Sequence, residues 1–106
     1  MDPKVVNREI LLALWKIHIL HHADEGEVVG QWMLHELREH GYDVSPGTLY
    51  PLLKRMEKFG WLKSRQDQKR GPKSARSYTL TAEGRKVLKL VLRQVQELRG
   101  EALRDR

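Results

Sequence analysis

The tightest constraint in this sequence is a helix stop and a helix start only four residues apart. Gly41 suits the left-handed residue that ends a helix. Ser45-Pro46 suits the start of the next one: a Ser hydroxyl can cap, and Pro at the first helical position loses no needed hydrogen bond. Apolar residues keep helical spacing on both sides, with Met33, Leu34 and Leu37 before the break and Leu49, Leu52, Leu53 and Met56 after it. The chain must therefore fold two short helices across a tight turn, one over about 29–40 and one opened by Ser45 and closed by Gly60. Pro51 lies inside the second helix, where its missing N–H predicts a bend.

The flanks complete the pattern. A first helix is predicted over 3–23, with Asp2 as cap and Pro3 at the first position. Its stripe is Ile10, Leu14 and Ile17, with Leu11 and Trp15 beside it. After Gly60, two extended stretches at 61–65 and 76–80 frame a polar, basic loop and read as a hairpin. Thr81 caps a last helix that runs to about 103, with Glu83 in its first turn. The order is helix, helix, helix, hairpin, helix. The expected fold is mainly α with a small β-hairpin, a winged helix-turn-helix over 1–81 followed by a C-terminal dimerisation helix over 82–106.

A length of 106 residues fits one small domain. The absence of cysteine excludes disulfides and thiolate metal sites. No apolar run approaches the roughly 20 residues that span a bilayer, and residues 1–4 lack the pattern of a secretory signal. The expectation is a soluble, cytoplasmic chain without a cofactor. It is not an enzyme, since it has no phosphate-binding glycine loop and no placeable pair of carboxylates.

Charge points to a partner. Residues 1–50 carry 4 basic and 8 acidic side chains, residues 51–80 carry 9 and 2, and residues 81–106 carry 7 and 4. Nearly all of the net +6 therefore sits in the middle third, where it makes a local field that attracts polyanions. The start of the third helix offers Ser45, Thr48 and Tyr50, then Lys54. Hydroxyls can bond phosphates or base edges, and a helix end fits a major groove about 12 Å wide. The loop of the hairpin adds Lys69, Arg70 and Lys73 with no apolar anchor. Double-stranded DNA is the expected partner. The other reading of this fold is a winged-helix module that binds protein without sequence-specific DNA binding, and the basic loop argues against it.

In the last helix Leu88, Val91, Val95, Leu98 and Ala102 recur at spacings of 3 and 4, an a/d seam over two heptads. Its apolar residues exceed what docking on one domain needs, so a homodimer is expected, with the first helix of each subunit packed against the last. His18 and His22 share a helix face in the geometry of a two-histidine metal site. His35, Glu25 and Asp24 are formal third ligands, but nothing in the sequence positions one, and histidine near a helix C-terminus also suits the dipole. No metal site is predicted.

These residues resemble those of a known family. From about Glu9 to Leu92 the chain is similar to the PadR-like transcriptional regulators. The resemblance is carried by Gly47-Thr48-Leu49-Tyr50-Pro51 with Leu52-Leu53, by Met56-Glu57 and Gly60, and by Tyr78-Thr79-Leu80-Thr81-Ala82-Glu83-Gly84. It implies a dimeric winged-helix repressor on a palindromic operator, released by a small-molecule effector. It places Ser45, Thr48, Tyr50 and Lys54 in the recognition-helix region and Lys69, Arg70 and Lys73 in the wing. The single helix after Gly84 looks like the compact subgroup. In some compact members an aromatic residue on the last helix holds flat ligands. This helix has no Phe, Tyr or Trp, which moves the expected pocket toward Trp15, with Trp32 and Trp61 left to packing.

Overall fold

The computed structural model describes residues 1–66 and 75–104. The first helix, α1, is continuous over Pro3–Val6, a wider π-helical turn at Asn7–Leu11, and Leu12–Glu25. Asp2 caps it, its carboxylate accepting the Lys4 N–H at 2.9 Å. Its buried residues are Trp15, Ile19, Leu20, His22 and Ala23. The predicted stripe is not the buried one: Ile10 is 60% exposed and Leu14 37%. The helix is apolar on two sides, and periodicity does not say which side the domain covers. The π turn adds to the difference, because one extra residue in a turn rotates the residues before it against those after it.

A two-residue strand, β1 (Val28–Val29), leads into α2 (Gly30–Glu39). Met33, Leu34 and Leu37 of α2 face the core. Gly41 ends it with φ +91. The Gly41 N–H donates to the Arg38 carbonyl at 3.0 Å, and the Tyr42 N–H to the Leu37 carbonyl at 3.2 Å. These bonds satisfy carbonyls that the helix end leaves open. Arg38 Nε then donates to the Val44 carbonyl at 3.0 Å and fixes the turn from outside. The next helix, α3 (Pro46–Lys58), runs on through Pro51 and buries Leu49, Leu52, Leu53 and Met56.

Strand β2 (Leu62–Gln66) pairs antiparallel with β3 (Arg76–Leu80), from Leu62 opposite Leu80 to Gln66 opposite Arg76. Strand β3 also pairs with β1, Val28 opposite Tyr78, so the hairpin is part of a three-stranded sheet of order β1-β3-β2. The core lies where α1, α2, α3 and this sheet meet, around Ile19, Met33, Leu37, Leu49 and Leu53.

The last helix is α4 (Ala82–Arg104). The Thr81 hydroxyl accepts the Gly84 N–H at 2.9 Å and donates to the Gly60 carbonyl at 2.5 Å. Gly84 lies directly on the start of β2: a Cβ there would sit 2.2 Å from the Trp61 carbonyl oxygen. Only Gly84 and Leu88 of this helix are buried. With 23 residues it is about 34 Å long and outruns the domain, in a molecule measuring 55 × 33 × 22 Å. No helix among the described residues is long and apolar enough to cross a membrane.

Candidate nucleic-acid interface

The tip of α3 presents the polar groups expected of it, in a different arrangement. Ser45 takes the cap position in extended backbone, but its hydroxyl does not cap. Its carbonyl accepts the Thr48 and Leu49 N–H groups at 3.1 and 2.9 Å, so those amides are already taken. The Ser45 Oγ instead stands 3.3 Å from the Thr48 Oγ1. Both hydroxyls are exposed at the helix tip, where helix N–H groups favour anions.

One turn on, Tyr50 is 44% exposed. Its ring lies over Gly30, where an added Cβ would meet the Tyr50 Cε1 at 2.6 Å. Tyr50 is thus packed on the start of α2 and presented outward as well. Lys54 and Lys58 follow at four-residue intervals and are exposed, which puts all three on one line of the helix. Arg55 lies beside them, its guanidinium 5.9 Å from the Phe59 ring centre.

The sheet is tied to α3. Glu57 accepts the Ser64 N–H at 2.9 Å, and Arg76 donates to the Ser64 Oγ at 3.0 Å. Lys63, Arg65 and Arg76 stand on the exposed part of the described hairpin. Lys69, Arg70 and Lys73 lie outside the described residues. Glu27, ahead of β1, accepts from the Ser77 hydroxyl and from Arg65 Nη2 at 2.9 and 3.1 Å. The Ser77 hydroxyl first, and Arg65 second, hold its carboxyl below the usual range. Burial, with Glu57 adding to it, pushes the Tyr78 phenol up.

A second region lies between α1 and α4. Leu88 is 4% exposed and holds α4 on its own domain, whereas Val95 and Leu98 are 40% and 64% exposed. Val91 is half-buried and Ala102 exposed. An open apolar cleft of about 430 Å³ is lined by Leu14, Ile17, His18, His21, Leu92 and Val95. Trp15, the residue toward which the sequence points for a ligand pocket, does not line it. It is 3% exposed, its ring 6.0 Å from that of Tyr42, because it occupies the side of α1 that the domain covers. Its Nε1 is buried without an acceptor.

A third cluster gathers around His18 and His22, the pair that spacing alone puts on one face of α1, and its remaining member is not readable from spacing. His40, just past α2, brings its ring 4.5 Å from that of His18, and His18 Nε2 lies 3.0 Å from the Tyr42 hydroxyl. Burial first, then the neighbouring His40, His22 and His21, holds the His18 imidazole below its ordinary value, against an opposing pull from Glu36. No local rule links residues this far apart in the chain.

Comparison with known proteins places this geometry. The model of the transcriptional regulator PadR-like family matches residues 19–90. The transcriptional regulator Rv3488 of Mycobacterium tuberculosis is 47% identical over 96 residues, which cover 91% of this chain and 89% of that protein. A PadR family transcriptional regulator from Eggerthella lenta is 29% identical with a TM-score of 0.73, over 93% of this chain and 90% of that one. A PadR-like transcriptional regulator from Bacillus cereus is 26% identical with a TM-score of 0.78, over 89% and 92%. The family match begins inside α1 and ends inside α4, and so takes in α2, α3 and the sheet.

Proposed function

This chain belongs to the PadR-like family of transcriptional regulators, and from that premise we propose that it is a repressor that binds a palindromic operator as a homodimer and is released by a small-molecule effector. The family regulates transcription and is not a family of enzymes. The observation that carries the reading is the exposed edge of α3, with two hydroxyls at its tip and Tyr50, Lys54 and Lys58 in line behind them. That edge suits a major groove. Ser45, Thr48 and Tyr50 supply groups for base edges and phosphates, and Lys54 supplies a phosphate contact. Lys69, Arg70 and Lys73 enter the proposal on sequence charge alone, as further contacts to the DNA backbone.

The dimer reading is supported by α4. Past Leu88 the seam runs from half-buried Val91 to exposed Val95, Leu98 and Ala102. Ile10 and Leu14 of α1 are also exposed, Leu14 in the cleft it shares with Leu92 and Val95. Apolar surface of this extent calls for a partner, and a second copy supplies a matching seam. An isologous pair would set two α3 helices about 34 Å apart, one turn of DNA. The cleft between α1 and α4 would then border the interface, where an effector could bias the spacing. The cytoplasm is the compartment this function requires.

The test is a fluorescence anisotropy titration with the DNA upstream of the chain's own gene, run against random duplex across salt. Tight, selective binding is expected, weakening with log salt by about 0.9 per phosphate neutralised. Replacing Thr48 and Lys54 together by Ala should remove the selectivity. Equal affinity for both duplexes would leave the repressor reading without support.

A further inference from the structure

We propose that His18, His22 and His40 form a site for one divalent transition-metal ion of the kind that prefers imidazole, with zinc as the type. Their ligand nitrogens all lie within 4.8 Å of one another. Tetrahedral zinc with bonds of about 2.0–2.1 Å needs such atoms near 3.4 Å apart, which small side-chain rotations achieve.

His22 carries the argument. It is 8% exposed. Its Nδ1 lies 3.1 Å from Glu25 Oε1 and donates its proton there. That bond leaves the lone pair on Nε2, as a carboxylate does for a metal-bound histidine. The Nε2 is buried and has no hydrogen-bond partner. A buried acceptor left unpaired is costly and uncommon. Glu36 Oε1 lies 3.7 Å from it, beyond hydrogen-bond reach, and also has only lone pairs to offer when ionised. Two acceptors that face each other across a gap call for a cation between them.

The surroundings agree. The three rings border an open cleft of about 460 Å³ whose lining includes Glu25 and Glu36 and neither lysine nor arginine. Glu36 Oε1 also lies 3.4 Å from His40 Nε2, so one carboxylate serves both rings. Imidazole donors select zinc, nickel, cobalt or copper over magnesium, which demands oxygen. The site joins α1 to the end of α2, just before the turn into α3. The other set within reach, His21, His22 and Glu25, engages the same Glu25 oxygen that His22 Nδ1 already uses.

The metal-free full chain should be titrated with zinc against a chromophoric chelator, with magnesium as control. One zinc per chain and no magnesium is expected. H22A and H40A should each weaken zinc binding by more than about tenfold, the scale that even outer partners of a metal ligand command. H21A and H35A should leave it unchanged. His40 is exposed, so H40A carries the test should H22A fail to fold. Failure to retain zinc at equimolar metal, loss with H21A but not with H40A, or an affinity that neither H22A nor H40A moves would overturn the site. None of these readouts involves DNA, so the site stands or falls apart from the repressor reading.

Discussion

Helices α3 and α1 are both rich in apolar residues, yet they meet their surroundings differently. In α3 one line, Leu49, Leu52, Leu53 and Met56, is wholly buried, and the opposite edge carries Tyr50, Lys54 and Lys58. In α1 there are two apolar sides. Trp15, Ile19 and Ala23 enter the core, while Ile10 and Leu14 stay at the surface, Leu14 in the open cleft against α4. A helix with one stripe has one way to bury it. A helix with two stripes needs two partners, and this domain covers one side fully and leaves the other on an open cleft against α4. In the proposed assembly the cationic edge of α3 would face nucleic acid and the apolar edges of α1 and α4 a second subunit.

The largest effect should come from splitting the two sides of α1. Ile19→Ala removes a fully buried side chain and should cost about 2–5 kcal/mol. Ile10→Ala should stay within about 0.5 kcal/mol when unfolding in urea is followed at concentrations that keep subunits apart. Equal costs would erase the distinction between the sides. Next comes Gly84→Ala, which forces a methyl against the Trp61 carbonyl. It should cost about 1–3 kcal/mol in the same assay.

Leu98→Glu sharpens the comparison from the α4 side. Leu98 is 64% exposed, so the folded subunit should keep its helical signal, while sedimentation velocity should shift from dimer to single subunits. Lys54→Ala acts at the other region. It should lower the salt slope of DNA binding by about one and leave the sedimentation coefficient of the free protein unchanged. The smallest effect is expected at Glu27. Its folded carboxyl titrates below its ordinary value, so its contribution is present at neutral pH and lost as pH falls through the folded value. The gap in Tm between the native chain and Glu27→Gln should therefore close on acidification. A gap that widens in acid would reverse the sign.

Much of the fold is legible in the sequence because local chemistry decides it. The Gly41 stop, the Ser45-Pro46 start and the Thr81 cap position α2, α3 and α4 through bonds made within a few residues. The extended stretch read at 76–80 is β3 (Arg76–Leu80). The hidden part is decided between distant segments. Strand β1 is only two residues long and exists because Val28 and Val29 pair with Tyr78 and Ser77. The covered side of α1 depends on where α2 and β3 come to rest. Ser45 has the hydroxyl of a capping residue, yet its carbonyl, and not that hydroxyl, bonds the first amides of α3. In the candidate site, Thr48, Tyr50 and Lys54 are readable from their spacing on one helix. The approach of His40 to His18 depends on the packing of α2 on α1, and no period in the sequence encodes it.

The central claim is that two copies, joined through α1 and α4, aim two α3 helices at one duplex. Sedimentation equilibrium of the chain saturating the DNA upstream of its own gene tests it most directly. The account predicts two chains per duplex, bound in one cooperative step. A complex that saturates at one chain per duplex, with no two-chain species in the free protein, would contradict it.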